Sequence, residues 1–176
     1  MFVDETSATT NMARRYGRRR RGLRLRCGVP HGHYKALTFL CGLRLRGVVA
    51  PKAYDHAMNA QTFEAWLEHC LLPTLEEGDI VVLDNLNVHK GPRVAEILAK
   101  KNCTVRYLPP YSPDFNPIEK AFSKLKAFLR KLAERTVAGL IAALEGCAGL
   151  FKSDECANYF EACGYDPEKL VVLDTT

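Results

Sequence analysis

The sequence predicts an α/β protein: a mixed five-stranded sheet flanked by helices, with additional helices toward the C-terminus. Three features predict it. Ile80, Val81, Val82 and Leu83 make a continuous apolar run of the kind that forms a buried central strand. Three strand-like segments come before the first helical pattern with no helix between them, most simply an antiparallel meander. Strand and helix patterns then alternate as far as a long amphipathic helix.

Taken in order, residues 2–5 read as a short apolar strand carrying acids. Residues 34–41 are the second strand, Gly42 breaks the pattern, and residues 43–53 alternate basic and apolar before turning wholly apolar at Val48, Val49 and Ala50. A helix over residues 59–75 presents Phe63, Trp66, Leu67, Cys70 and Leu71 on one face. Glu76, Glu77 and Gly78 end it ahead of the strand at residues 80–83. Residues 93–101 are helical, with Val94, Ile97 and Leu98 at spacings of three and four, and residues 103–108 alternate as a further strand. Between 109 and 117 the prolines lack backbone donors and forbid both helix and central strand, so this loop is stiff and shaped. Pro117 suits the first turn of the helix that opens with Ile118 and Glu119. Residues 136–150 and 155–163 read as two more helices, closed by Gly164, Tyr165, Asp166 and Pro167, and the tail from 168 carries no clear pattern. The expected organisation is one catalytic-type domain over residues 1–135 and a helical extension over 136–176 packed on it.

Acids sit at the ends of these elements. Asp84 follows a buried strand, where an ionised carboxylate is costly unless paired, hydrogen-bonded or on a metal. Asn85, Asn87 and His89 crowd the same exit. Glu119 lies on the first turn of a helix, where the helix dipole alone also favours an acid. A third acid comes from the first strand, and there Asp4 and Glu5 are adjacent, so strand alternation points them to opposite faces. Three carboxylates converging on one point repel each other unless cations neutralise them, and hard oxygen ligands select magnesium or manganese. That is the equipment of two-metal phosphodiester chemistry. Asp55, Asp79 and Asp114 lie in turn-like settings and read as structural.

The motifs have a family likeness. Val3-Asp4-Glu5, Val82-Leu83-Asp84-Asn85 with His89, and Tyr107-Leu108-Pro109-Pro110-Tyr111-Ser112-Pro113 continuing through Asn116-Pro117-Ile118-Glu119 together resemble the catalytic domain of a DDE transposase of the Tc/mariner-type group found in bacterial insertion sequences. Thirty-four residues separate Asp84 from Glu119, which matches that group's spacing. The resemblance implies a ribonuclease H-like fold with Asp4 and Asp84 on adjacent central strands. It selects Asp4 over Glu5, and makes Asp4, Asp84 and Glu119 the catalytic, metal-binding acids for two Mg2+ (or Mn2+) ions, in metal-dependent DNA strand cleavage and strand transfer. Asn85 and Asn116 are candidates to support those acids, and Asn116 could equally cap the following helix. His89 could orient DNA or a metal-bound water, or be satisfied by a backbone carbonyl. Phe122 stands where relatives often carry tryptophan, a change of packing rather than chemistry. Alternative readings are a ribonuclease H-like nuclease without strand transfer and an inactive DNA-binding remnant.

Charge distribution supports a polyanionic partner. The net charge is +5, but Arg14, Arg15, Arg18, Arg19, Arg20, Arg21, Arg24 and Arg26 form one dense block. Folding gains nothing from eight like charges, and the guanidinium fork suits phosphate oxygens. A second basic set, Lys120, Lys124, Lys126, Arg130 and Lys131, follows Glu119 and is either a solvated face or a DNA contact, with Lys124 the candidate contact. The expected partner is double-stranded DNA, bound by a dimer. No apolar run approaches a membrane span. Seven cysteines with no two-residue spacing argue against zinc and for reduced thiols in a cytoplasm, here a bacterial one with its nucleoid DNA. With the first acid at position 4, the chain is expected to be the downstream part of a longer protein whose base-reading helices lie elsewhere.

Overall fold

The computed structural model describes residues 1–172. Strand β1 (Phe2–Thr9) lies at the centre of a five-stranded sheet of order β3-β2-β1-β4-β5. It pairs antiparallel with β2 (Ala36–Arg44), which pairs antiparallel with β3 (Gly47–Tyr54). On its other side β1 runs parallel to β4 (Ile80–Leu83), and β4 runs parallel to β5 (Thr104–Tyr107). The sheet is therefore mixed, its first three strands are the expected meander, and the strands carrying Asp4 and Asp84 are neighbours, with Val3 opposite Leu83.

Alternation along β1 divides the core. Phe2 and Ala8 face one layer, in which helix α3 (Ile118–Leu132) buries Ile118, Ala121, Phe122, Leu125 and Leu129. Val3 faces the other, built from Phe63, Trp66, Leu67 and Leu71 of the first helical segment and Val94, Ile97 and Leu98 of helix α2 (Pro92–Ala99). Phe122 is fully buried with its ring edge-on to Phe39, centroids 6.3 Å apart, so phenylalanine fills this layer. Helices α4 (Val137–Glu145) and α5 (Ser153–Glu161) join the first layer through Leu140, Leu144, Cys156 and Phe160, and Phe160 and Tyr165 both meet the Phe2 ring edge-on. A short helix α6 (Pro167–Val172) follows.

Several boundaries differ from expectation for identifiable reasons. Gly42 does not break β2. It lies inside the strand, paired with Val3 and Val49, where an added Cβ would come within 3.0 Å of Met1 Sδ and Val49 Cγ2. The chain reverses instead before Gly47, whose φ of +137° only glycine adopts easily. A bulge in the β2–β3 ladder puts Ala50 at φ +50°, and its carbonyl accepts from the Trp66 indole at 3.0 Å. The expected helix 59–75 is α1 (Ala60–Trp66), capped by the Asn59 side chain on Thr62 N–H at 2.9 Å, then a π-helical turn and a 3-10 turn. Across this wider turn Cys70 packs half-buried at the edge of the layer while Leu71 is fully buried in it. Residues 136–150 divide into α4, capped by Thr136 on Gly139 N–H, and a 3-10 turn at Cys147–Leu150.

Candidate active site

A cleft of about 340 Å3 opens where β4 ends alongside β1, lined by Asp4, Asp84, Asn85, Asn116, Glu119 and the loop through Pro109, Pro110, Tyr111, Ser112 and Pro113. All three expected acids thus meet in one place, each delivered by a different element: Asp4 by β1, Asp84 by the residue after β4, Glu119 by the first turn of α3. The proline loop forms one wall. At its tip Tyr111 sits at φ +55°, a costly backbone conformation for a non-glycine residue, with its side chain fully in solvent.

Asp4 is buried beneath the cleft. Its Oδ1 accepts from Glu5 N–H at 2.7 Å and its Oδ2 from the Asn116 amide at 2.8 Å. Burial first, and repulsion from Asp84 second, push its pKa up to about 7. Asn116 does not cap α3, since its side chain is spent on Asp4 and Pro117 holds the N-cap position without a side-chain bond. The Asn116 Oδ1 is buried with no partner. A buried acceptor without a donor is costly, and here it stands at a cleft already rich in negative charge.

Asp84 is held differently. Its Oδ1 accepts from Leu86 N–H at 3.1 Å and from His89 Nδ1 at 2.6 Å. Burial opposes ionisation of Asp84, yet these two bonds prevail and hold its pKa below the usual carboxylate range. His89 is completely buried, so it offers no surface to DNA, and neither ring nitrogen bonds a backbone carbonyl. Its Nε2 donates instead to Glu5 Oε2 at 3.0 Å. Burial lowers the imidazole's pKa, but the two carboxylates outweigh it and raise it to about 9. The ring packs on Phe63 with centroids 4.3 Å apart, and the His89 carbonyl accepts from the Tyr107 hydroxyl at 2.9 Å. The resemblance selects Asp4 and gives Glu5 no role; alternation sends Glu5 to the face opposite Asp4, and that face is where His89 lies.

The donor set suits a hard divalent cation: three carboxylates of separate origin, an unsatisfied amide oxygen, and like-charge repulsion that a cation would relieve. Among the described residues no three such side chains are drawn close enough to cage one ion.

The arginine block occupies the excursion between β1 and β2, and Arg14, Arg15 and Arg18 to Arg21 are exposed. Its base is closed by Thr10 N–H to the Lys35 carbonyl at 3.0 Å and by the Arg135 guanidinium on the carbonyls of Thr10 and Met12. A turn from Arg20 to Leu23, with Gly22 at φ +85°, presents Arg18 to Arg21 at its tip. Lys124 is elsewhere. Its ammonium donates to the Leu150 carbonyl at 2.7 Å, pairs with Glu155 and lies 5.4 Å from the centre of the Phe151 ring, so it joins α3 to the C-terminal helices and does not face the cleft. Asp79 is structural, as expected, in an ion pair with Arg44. Five cysteines are buried, Cys70 is half-buried, Cys27 is exposed, and all are free thiols.

Residues 1–138 match the family model described as DDE superfamily endonuclease. The chain belongs to that family. No curated protein sequence matches this DDE endonuclease. Among solved structures it is similar to the Mos1 transposase paired-end complex with left transposon end, at 17% identity and TM-score 0.65, over 98% of this chain and 53% of that one. It is similar also to the mariner Mos1 paired-end complex with Mg, at 18% identity and TM-score 0.64, over 99% and 55%. A third likeness is to the catalytic domain of Mos1 mariner transposase, at 15% identity and TM-score 0.58, over 98% and 79%. The shared architecture is the ribonuclease H-like fold. This chain spans about half the length of the full Mos1 chains. Among the described residues no helix is long and apolar enough to cross a membrane.

Proposed function

We propose that this DDE endonuclease is the catalytic domain of an insertion-sequence transposase, performing metal-dependent DNA strand cleavage and strand transfer. The observation that carries the reading is the meeting of Asp4, Asp84 and Glu119 in one cleft at the edge of the central strands. Asp4 and Asp84 would share two magnesium or manganese ions, and Glu119 would hold one of them. Bound there, the metals supply activation of a water or a DNA 3′-hydroxyl for in-line attack on phosphorus and stabilise the leaving oxygen. Asn116 keeps Asp4 aimed at the cleft, the Leu86 N–H and His89 keep Asp84 in place, and the proline loop limits how DNA enters. The exposed arginines at the β1–β2 excursion supply phosphate contacts that are independent of sequence. Structures of Mos1 carry transposon-end DNA, Mn or Mg, and paired ends; the same substrate, cofactors and paired arrangement are proposed here. With a DNA substrate, the protein acts in the bacterial cytoplasm at the nucleoid.

The test is plasmid nicking in magnesium, followed by joining of pre-cut transposon ends to a target plasmid. Asp84→Asn and Glu119→Gln are each expected to abolish both reactions while leaving the domain folded and its DNA affinity close to the parent's. Nicking by either variant at the parental rate overturns the assignment. Nicking without any joining of pre-cut ends reduces the reading to a nuclease.

A further inference from the structure

Of the two acids carried by the sheet, Asp84 is the less supported by it. The β1–β4 ladder ends with Val3 opposite Leu83, so Asp84 has left the strand when it reaches the cleft. What holds its side chain is the turn that follows: the Leu86 N–H and the His89 imidazole both bond Oδ1. A carboxylate gripped on one oxygen by two donors keeps the other oxygen in a fixed direction. The grip is only as firm as the imidazole, and the imidazole is fixed on every side. Phe63 covers its face, the Tyr107 hydroxyl holds its main-chain carbonyl, and Glu5 Oε2 takes its far nitrogen at 3.0 Å. None of its surface reaches solvent. Glu5 in turn sits on the central strand beside Asp4, its backbone paired with Leu40 of β2.

We propose that Glu5 and His89 form a positioning pair that sets the direction of the Asp84 carboxylate and so ties the second acid to the strand that carries the first. Adjacent acids on β1 then serve opposite faces of the sheet: Asp4 faces the cleft directly, and Glu5 reaches it from behind through the imidazole. The pair touches no substrate, so it acts through Asp84 alone. This inference rests on the reading of Asp84 as a metal ligand given above.

The chemistry of the two alkaline-earth ions supplies a readout. Magnesium demands near-ideal octahedral geometry, whereas calcium accepts six to eight oxygens in a flexible shell. Releasing the Asp84 side chain therefore weakens magnesium binding more than calcium binding. A role in packing alone lowers stability and leaves the preference between the ions unchanged.

Magnesium and calcium titrations of the full chain, read by calorimetry and by the rise in melting temperature, test this without any turnover. His89→Gln is expected to weaken magnesium binding by about 10- to 100-fold, the usual effect of removing a group that orients a metal ligand, and calcium binding by clearly less. Glu5→Gln keeps size and fold, covers the case in which the histidine variant fails to fold, and is expected to shift magnesium in the same direction by roughly tenfold. Because Glu5 acts through His89, the double variant should bind magnesium no more weakly than His89→Gln alone. Magnesium and calcium affinities that stay at parental values in Glu5→Gln, or that fall in equal proportion, overturn the pair. Additive losses in the double variant do so too. A parent chain that binds neither ion refutes the metal reading itself, and the pair with it.

Discussion

The Asn116 amide donates to the Asp4 carboxylate at 2.8 Å across 112 positions of sequence, joining the end of the proline loop to the centre of the sheet. The bond does two things. It aims Asp4, and it seats the loop whose next residues start α3 and present Glu119. Asn116→Ala should therefore lower magnesium-dependent nicking by about 10- to 100-fold, as loss of a group behind a metal ligand does. Asn116→Asp should be worse, because it adds a carboxylate against one already strained by Asp84. Initial nicking rates as a function of magnesium would check both, and a parental rate in Asn116→Ala would contradict the role.

Asp4 makes the metal-free fold pH-sensitive, and the sign follows from its raised pKa. The folded value is about 7 against an ordinary 3.8, so the folded state binds the proton more tightly than the unfolded chain. That contribution is complete below about pH 4 and is lost as pH rises through about 7. His89, raised from 6.5 to about 9, adds a second loss in the same direction at higher pH. Asp84 has a lowered pKa, so its contribution is lost only in acid, as pH falls through its folded value. In chelator the melting temperature should fall steadily from mildly acidic to mildly alkaline buffer. Asp4→Asn should flatten the lower part of that fall and raise the melting temperature at pH 8, where the parent holds an ionised buried carboxylate, while abolishing nicking. Magnesium should stabilise the parent most where Asp4 is ionised. Thermal melts across pH, with and without magnesium, test all three statements.

The arginine tip should behave as a counterion-releasing surface. Arg18 to Arg21 are exposed at a turn held by the Arg20 carbonyl and Gly22, and of the four, among the described residues, only Arg19 is tied back into the loop, its guanidinium donating to the Arg24 carbonyl at 2.7 Å. Replacing all four with alanine should weaken binding to every duplex alike and flatten the plot of log affinity against log salt by about 0.9 per lost phosphate contact. An unchanged slope would make the tip a solvated face.

Much of this was legible in the residues. The run Ile80 to Leu83 reads as a buried central strand, which it is apart from the exposed Ile80, and the prolines from Pro109 to Pro117 read as a stiff loop, which puts Asp84 and Glu119 at element ends. Other features depend on what lies across the sheet. Gly42 reads locally as a break, yet absence of a Cβ is what lets Met1 and Val49 close over it. His89 reads as a polar residue near an exit, and only the far face of β1 supplies the second carboxylate that buries it. Cap and support look alike for Asn116 until the position of Asp4 decides between them.

Lys124 is the plainest case of a charge whose partner the sequence hides. It lies on a helix dense in basic residues, but its ammonium is turned onto the Leu150 carbonyl, Glu155 and the Phe151 ring, and Glu155 is held in turn by the Tyr159 hydroxyl at 2.7 Å. The group is half-buried, so its ion pair alone contributes little; the bond to the carbonyl and the covered ring add to it. Lys124→Met should cost about 1–2 kcal/mol in chemical denaturation and leave both DNA affinity and its salt slope at parental values. Lys120→Met, one helical turn earlier at an exposed position, should cost nothing measurable in stability. If Lys124→Met instead lowers DNA affinity at unchanged stability, the ammonium leaves Glu155 for phosphate when DNA binds, and the tie between α3 and the C-terminal helices is not what this lysine is for.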